Sequence, residues 1–349
     1  MKRLLIIGAM ADGALEHWYA AAFRSLGVEV ALFDPERILV RSRPVRIMTR
    51  PLRSLDHLLV GRELDRYFAK PQAWDVVLVF KGLFMSASAL ATVKRLAPGA
   101  QWFCFDPDSP FEAGSGTSSR HIRECIPLYD RYFIWSRGLV STLAEHGCRH
   151  PSYLPFGFDD AQHIPAVEMD PSLCDAISFV GTYDRQRADL LESIADLPLR
   201  IFGSGWHRLP LWSPLRRKSF GPPVLGAELR RVVTSSLACI NMLRPQNVGS
   251  HNMRTFEVPA MGGLMVTSRS AEQQEFFPEG EACLMYEGKS ELRAVLQRLV
   301  RREIDTAAIR AGALKRVCGH SYRERARVIL QAAGASLVDF VDDSGAARA

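Results

Sequence analysis

The sequence lacks any apolar run that approaches the length of a membrane-spanning helix, which needs about 20 residues. It also lacks a CxxC pair, and its seven cysteines are odd in number and widely spaced, which is typical neither of a zinc site nor of a disulfide framework. The cysteines therefore predict reduced thiols and a cytoplasmic protein. The short apolar run after Lys2 and Arg3 is followed by a helix and a strand, so we interpret it as a first strand and not as a signal peptide.

The bulk composition is that of an ordinary globular protein. The chain has 349 residues, which predicts two domains. Hydrophobic residues make up 47% and charged residues 23% of the chain. The net charge of +6 suits anionic ligands such as nucleotides or phospholipid surfaces, but the excess is too diffuse to indicate nucleic acid.

Strand and helix patterns alternate along the chain, pause near residue 160 and start again. This alternation predicts two doubly wound, Rossmann-like α/β domains that face a central cleft. We expect domains at 1–160 and 161–349, and the helix that starts near His320 is a candidate to return to the N-terminal domain. Ligands of such sheets bind beyond the carboxyl ends of the strands. The predicted strands cover 4–7, 28–33, 75–80, 101–105, 132–135, 176–180, 199–202, 238–242, 264–267 and 282–286.

Several polar or glycine-rich segments follow predicted strands of the second domain. Glycines let backbone amides approach a phosphate, arginines neutralise it, a glutamate accepts both ribose hydroxyls, and a tryptophan offers a flat face. For the helix predicted within His251–Met265, which Gly262 and Gly263 end, the alternative is a surface helix with an ordinary ion pair. We therefore predict a nucleotide-diphosphate site formed by Gly181, Thr182, Arg185, Gly203, Ser204, Trp206, Asn252, Arg254 and Glu257.

Two aspartates follow a predicted strand of the first domain. Asp106 and Asp108 lie at a strand end that faces the predicted cleft, and they are candidates for a general base. The alternative is a turn built by the Asp-Pro and Ser-Pro dipeptides. His17 and His121 are second-rank candidates for the same role.

The stretch from Arg37 to Arg53 contains six arginines and no acidic residue. Apolar residues lie between the arginines. One interpretation is a solvated basic surface, and the other is an electropositive lip that meets an anionic acceptor or an anionic membrane.

Short motifs in both halves resemble those of one enzyme family. They are Val79-Phe80-Lys81-Gly82, Asp106-Pro107-Asp108, Leu154-Pro155-Phe156-Gly157, Val180-Gly181-Thr182-Tyr183, Gly203-Ser204-Gly205-Trp206, Asn252-x-Arg254-x-Phe256-Glu257 and His320-Ser321-Tyr322-x-x-Arg325. In these motifs the chain resembles the CgeB-like glycosyltransferases, which have the two-domain GT-B architecture. The resemblance implies transfer of a sugar from a nucleotide-diphosphate sugar to a hydroxyl acceptor, in glycan or in cell-surface or spore polysaccharide modification. It implies no cofactor and no bound metal, with donor phosphates at Gly181, Thr182 and Arg185 and the ribose at Glu257.

One position departs from the pattern of many retaining enzymes of this architecture. Those enzymes carry two glutamates eight positions apart, and here Glu257 occupies the second position while Gly249 occupies the first. The stereochemical outcome is therefore open.

Two other classes of protein compete with this hypothesis. A nucleotide-dependent oxidoreductase would read a dinucleotide at Gly8 and Asp34, but the segment from Gly8 to Gly13 does not spell GxGxxG. A non-catalytic two-domain binding protein would share the cleft and lack the diphosphate-binding residues.

Overall fold

A computed structural model describes residues 3–10, 13–41, 56–70, 72–112, 118–244 and 249–335. The chain folds into two compact units. The first contains the described residues of Met1–Pro155 and Tyr322–Ala349, and the second contains those of Phe156–Ser321.

Each unit contains one parallel six-stranded sheet. The first sheet has the order β2-β1-β3-β4-β5-β6 and the second has the order β12-β11-β10-β7-β8-β9. The strands are β1 Arg3–Ile7, β2 Glu29–Phe33, β3 Val76–Phe80, β4 Gln101–Asp106, β5 Arg131–Ile134, β6 Pro151–Tyr153, β7 Ile177–Val180, β8 Leu199–Phe202, β9 Ser219–Gly221, β10 Ala238–Asn241, β11 Met265–Ser268 and β12 Leu284–Tyr286.

Helices separate most of the strands, as right-handed parallel crossovers require. They are α1 Leu15–Ser25, α2 Pro35–Arg41, α3 Asp56–Phe68, α4 Ala87–Leu96, α5 Arg120–Cys125, α6 Val140–Glu145, α7 Arg185–Glu192, α8 Gly226–Ser235, α9 Arg254–Ala260, α10 Ala271–Phe276, α11 Gly288–Val300, α12 Thr306–Val317 and α13 Tyr322–Ala332. The predicted fold class of doubly wound α/β units is confirmed.

The central strands are apolar and fully buried because helices cover both faces of each sheet. In the first unit, Tyr19 of α1 lies 5.3 Å from Tyr322 of α13, measured between ring centroids. Helix α13 therefore packs on the first unit although it ends the described chain. In the second unit, α7 and α11 bury Leu191 and Leu296 in the core.

Candidate functional site

The strand order of the second unit reverses between β7 and β10, since the chain leaves β7 for β8 on one side and returns to β10 on the other. Ligands of open α/β sheets bind at such a reversal, beyond the carboxyl ends of the strands. Gly181 and Thr182 follow β7 there, and Met242 follows β10.

The loops after β7 and β8 interlock at Gly203. A Cβ atom on Gly203 would lie 2.1 Å from the Gly181 carbonyl oxygen, and its φ of 145° lies where L side chains are strained. The Gly181 N–H donates to the carbonyl of Phe202 at 2.9 Å, and the Tyr183 N–H donates to the carbonyl of Ser204 at 2.8 Å. The Gly181 amide is thus engaged within the protein, whereas Thr182 is exposed.

Two arginines of α7 differ in placement. The Asp184 side chain caps the helix and accepts a hydrogen bond from the Arg187 amide at 2.8 Å. This cap leaves Arg185, the predicted phosphate ligand, exposed. Arg187, which sequence reasoning missed, turns back and donates to the Thr182 carbonyl at 2.8 Å. Its guanidinium also lies 5.6 Å from the centroid of the Phe179 ring.

Three guanidinium groups gather near the reversal of strand order. Burial lowers the pKa of Arg187, Asp184 opposes that change, and the charges of Arg244 and Arg254 lower the pKa further. Arg244 and Arg254 are therefore both within electrostatic range of Arg187. Arg244 is exposed and has no carboxylate partner within the described part of the chain. An anion placed here would relieve this repulsion.

Glu257 is buried between a cation and a histidine. Arg254 donates to its Oε2, and Nε2 of His163 lies 3.8 Å from its Oε1. His163 Nδ1 accepts from the Asp159 amide at 2.9 Å, which leaves the proton of the neutral ring on Nε2. Burial is the main cause that lowers the His163 pKa, so the ring is neutral at pH 7. The predicted pairing of Arg254 with Glu257 is present, in a buried setting.

Asn252 lies just before α9, and its side chain is engaged within the protein. Its Nδ2 donates to Oδ1 of Asn241 at 2.8 Å, and its Oδ1 accepts from the Thr255 amide at 3.2 Å. The Thr255 hydroxyl in turn donates to Oε1 of Gln273 at 2.8 Å. This buried network fixes the start of α9 against the ends of β10 and β11, and therefore positions Arg254 and Glu257.

Trp206 does not present a free flat face to a ligand. It is buried, its Nε1 donates to the Gly181 carbonyl at 2.9 Å, and its ring packs against Phe179, Tyr183 and Phe220. Ser204 is exposed beside it. An open pocket of about 570 Å³ adjoins this segment, and its lining is Gly203, Ser204, Gly205, Trp206, His207, Arg216 and Phe220.

In the first unit, Asp106 and Asp108 occupy different environments at the end of β4. Asp106 is fully buried, accepts from the Asp108 amide at 3.0 Å and accepts from the Tyr132 hydroxyl at 3.2 Å. Burial raises its pKa to about 8. The Asp108 side chain is 18% exposed, and its Oδ2 lies 2.7 Å from Nζ of Lys81. Asp108 is therefore the one of the two carboxyl groups that can reach a ligand.

Lys81 was not selected by sequence reasoning. It follows β3 with a φ of 60°, an uncommon conformation for a residue with a side chain. Burial opposes the charge on Lys81, but the ion pair with Asp108, helped by Asp106 and Glu16, outweighs burial and raises the Lys81 pKa. A strained backbone held by an ion pair at a strand end is typical of functional sites.

The remaining histidine candidates make local contacts. His17 Nε2 lies 3.1 Å from the carbonyl of Met10. The His121 ring lies 4.3 Å from that of His57, and its Nδ1 is 3.9 Å from Glu124. Neither contact places these rings beside Asp108.

The residues of the first unit that a dinucleotide would need are engaged within the protein. The Asp34 carboxylate caps α2 by accepting from the Glu36 and Arg37 amides at 2.9 and 3.1 Å. Glu16 accepts from the Ala9 amide at 2.9 Å, and it fills the space beside Gly8. A pyrophosphate after β1 would meet this carboxylate, which disfavours dinucleotide binding there.

Most of the Arg37–Arg53 stretch lies outside the described residues. Arg37 is exposed in α2, which ends at Arg41. Within the residues that the structure describes, no group of three His, Cys, Asp or Glu side chains could hold a metal ion. None of the helices that the structure describes combines the length and apolarity that a membrane span requires.

Residues 185–331 match the model of a family described as glycosyl transferase-like. This range contains α7, the Gly203 loop and α9. No curated protein matches the chain.

Solved structures share the fold over nearly the whole chain. HepE from Anabaena, solved in complex with UDP, has 13% identity and a TM-score of 0.65, and the match covers 96% of this chain and 100% of that one. Sucrose-phosphate synthase from Thermosynechococcus elongatus has 14% identity and a TM-score of 0.68, with 95% and 98% covered. A glycosyltransferase from Rickettsia africae has 14% identity and a TM-score of 0.66, with 95% and 97% covered. At these identities the likeness establishes the fold.

Proposed function

We propose that this chain, with its glycosyl transferase-like domain at 185–331, transfers a sugar from a nucleoside diphosphate sugar to a hydroxyl acceptor. One observation carries the proposal: Arg187, Arg244 and Arg254 gather where the second sheet reverses its strand order. Arg187 is paired with Asp184 at 3.1 Å and Arg254 with Glu257, so the three arginines keep a net positive charge that a diphosphate would neutralise. The UDP complex of the similarly folded HepE supports a nucleotide ligand of this kind.

The arginines would stabilise the leaving group of the donor. Negative charge builds on the diphosphate as the glycosidic bond breaks, and fixed cations stabilise that charge without reorganisation. Glu257, oriented by Arg254, would accept the ribose hydroxyls. Thr182 and Ser204, both exposed on the adjoining loops, would contact the phosphates or the nucleoside.

We assign the acceptor side to the first unit. Asp108 would accept the proton of the attacking hydroxyl, as a general base does in an inverting transfer. Lys81 would hold the carboxylate in place. Gly249 stands where many retaining enzymes of this architecture carry a glutamate, which supports an inverting outcome.

The finer assignments belong to the same proposal. The motifs around Gly181, Gly203 and Glu257 support a CgeB-like enzyme of the GT-B architecture, without a metal or other cofactor. The seven free cysteines, five of them buried, support a cytoplasmic location. The arginines of Arg37–Arg53 would hold an anionic or lipid-linked acceptor, or an anionic membrane surface, near the first unit.

Thermal unfolding of the full chain with UDP, GDP or NAD tests the class of ligand. A ligand present at 100 times its dissociation constant adds about 2.7 kcal/mol of stability. We expect a nucleoside diphosphate to raise the melting temperature and NAD to leave it unchanged. Stabilisation by NAD alone would favour the oxidoreductase, and no stabilisation by any nucleotide would reject the donor site.

A further inference from the structure

Two large apolar side chains project from the loop between β8 and β9. Leu211 is 83% exposed and Trp212 is 86% exposed, which makes Trp212 the most exposed of the six tryptophans. Leu209 and Leu215, on either side, are buried. We call residues 209–218 the Trp212 loop. Adjacent exposed apolar residues of this size mark a contact surface more often than an isolated one does.

Internal hydrogen bonds hold the Trp212 loop in shape. The Arg216 guanidinium donates to the carbonyls of Leu209 and Pro210 at 2.6 and 3.1 Å. The Ser213 hydroxyl donates to Oε1 of Glu192 at 2.5 Å, and Lys218 donates to the Leu197 carbonyl at 2.8 Å. The loop is therefore anchored at both ends and presents Leu211 and Trp212 at its tip.

The chain segment that contains this tip carries charge of one sign. From Leu199 to Ala227 the chain has no acidic residue and five cations, Arg200, Arg208, Arg216, Arg217 and Lys218. Arg208, Arg216 and Arg217 are exposed. Glu192, which faces the loop from α7, is bonded to Ser213.

A second exposed apolar segment in the same unit has the opposite charge. Val167 is 100% exposed and Met169 is also exposed, but Glu168 and Asp170 flank them. Apolar exposure is thus common to both segments, and only the Trp212 loop combines it with cations.

We propose that the Trp212 loop docks the second unit on an anionic lipid bilayer. Trp212 and Leu211 enter the headgroup region, where tryptophan is enriched because its ring is apolar and its N–H is polar. Arg208 and Arg217 contact lipid phosphates, as cations beside an interfacial apolar segment do. This surface lies in a different unit from Arg37–Arg53 and does not depend on the sugar-transfer proposal.

Vesicle co-sedimentation of the full chain tests the proposal, with phosphatidylcholine vesicles and with vesicles that also contain phosphatidylglycerol. We expect binding to the anionic vesicles that weakens as salt rises. The double substitution Leu211→Ser and Trp212→Ser should weaken this binding about tenfold or more. The matched control is Val167→Ser with Met169→Ser, which removes another exposed apolar pair and should bind like the wild type. Quenching of tryptophan fluorescence by brominated lipid should occur in the wild type and be largely lost in Trp212→Phe.

Two results overturn the proposal. Absence of binding by the wild type removes the lipid surface and leaves a protein partner as the explanation of the exposed pair. Equal binding by the wild type and by the Leu211/Trp212 variant places the membrane contact elsewhere. Because neither side chain belongs to the core, loss of folding cannot mimic the expected result.

Discussion

Asp106 and Asp108 are two positions apart, yet their surroundings differ. Burial raises the Asp106 pKa to about 8, so that group is largely neutral at pH 7. Asp108 is partly exposed, and its Oδ2 lies 2.7 Å from Nζ of Lys81. The Asp108 side chain can thus reach a ligand, whereas the Asp106 side chain is enclosed by the protein.

The pH dependence of stability tests the state of Asp106. Its folded pKa lies above the ordinary value of 3.8, so folding takes up a proton, and the stability contributed by this group falls as pH rises from about 4 to about 8. In Asp106→Asn that fall should be absent. Between pH 5 and pH 8 we expect the free energy of unfolding of the variant to rise relative to that of the wild type, by at most about 1.4 kcal/mol per pH unit. Urea denaturation at several pH values measures this, and parallel curves for the two proteins would contradict it.

Turnover of Asp108→Asn tests the proposed base. Loss of a general base should lower turnover about 10²–10⁴-fold and leave donor affinity nearly unchanged. Asp130→Asn is the matched control, because it also breaks an ion pair of the first unit, with Lys94 at 2.9 Å, at the other end of the sheet. Normal turnover by Asp108→Asn would make Asp108 a turn residue. Equal losses in both variants would indicate a structural effect.

The roles of Arg185, Arg187 and Trp206 show the limit of sequence reasoning at this scale. The glycines and arginines after β7 could be read as a phosphate-binding segment. Which arginine turns inward depends on the Asp184 cap, which fixes the rotation of α7. Trp206 is buried because Phe179, Tyr183 and Phe220 surround it, and those contacts come from separate strands and loops.

Among the elements, the central strands could be predicted within one or two residues. They are buried on both faces and read as continuous apolar runs, as β3 does. β9 could not be predicted, because it is a three-residue edge strand in a segment rich in proline and cations. The end of α9 agrees with prediction, since Gly262 has a φ of 71° and its amide donates to the Pro259 carbonyl. Its start at Arg254 follows a turn that Asn252 holds through side-chain bonds.

Gly203 holds the loops after β7 and β8 together, and its substitution tests that contact. In Gly203→Ala the new methyl group would clash with the Gly181 carbonyl, and φ would be strained. We expect a loss of about 3 kcal/mol in the free energy of unfolding. Gly99→Ala is the control, because a methyl group at this position would have no neighbouring atom within 4 Å. Denaturant unfolding measures both, and equal stabilities of the two variants would show that the loops can separate.

At the scale of the whole molecule, the chain does not divide into two consecutive domains, because helix α13 belongs to the first unit. Sequence reasoning placed the boundary at residue 160 and named this helix as a candidate to return. Its apolar face, with Tyr322, Ala326 and Ile329 buried, has the same period as any amphipathic helix. The periodicity therefore predicts an apolar face that must be buried, but it does not indicate which unit buries it.

Two fragments of the chain test this division. Residues 156–321 contain the complete second sheet and should unfold cooperatively as a monomer. Residues 156–349 add α13 without the first unit on which it packs, so they should self-associate through its uncovered apolar face. Light scattering and thermal unfolding distinguish the two. Well-behaved monomers from the longer fragment would contradict the assignment of α13 to the first unit.

Titration calorimetry of the full chain with the nucleoside diphosphate that stabilises it tests the central claim most directly. The claim is that the diphosphate binds at the strand reversal of the second unit, on the cation cluster that includes Arg187. A charge-assisted contact contributes about 1.5–3 kcal/mol, so Arg187→Gln should lower affinity about 10–100-fold. Arg185→Gln removes a neighbouring, exposed arginine of the same helix and should bind as the wild type does. Unchanged affinity in Arg187→Gln, or an equal loss in both variants, would contradict the claim.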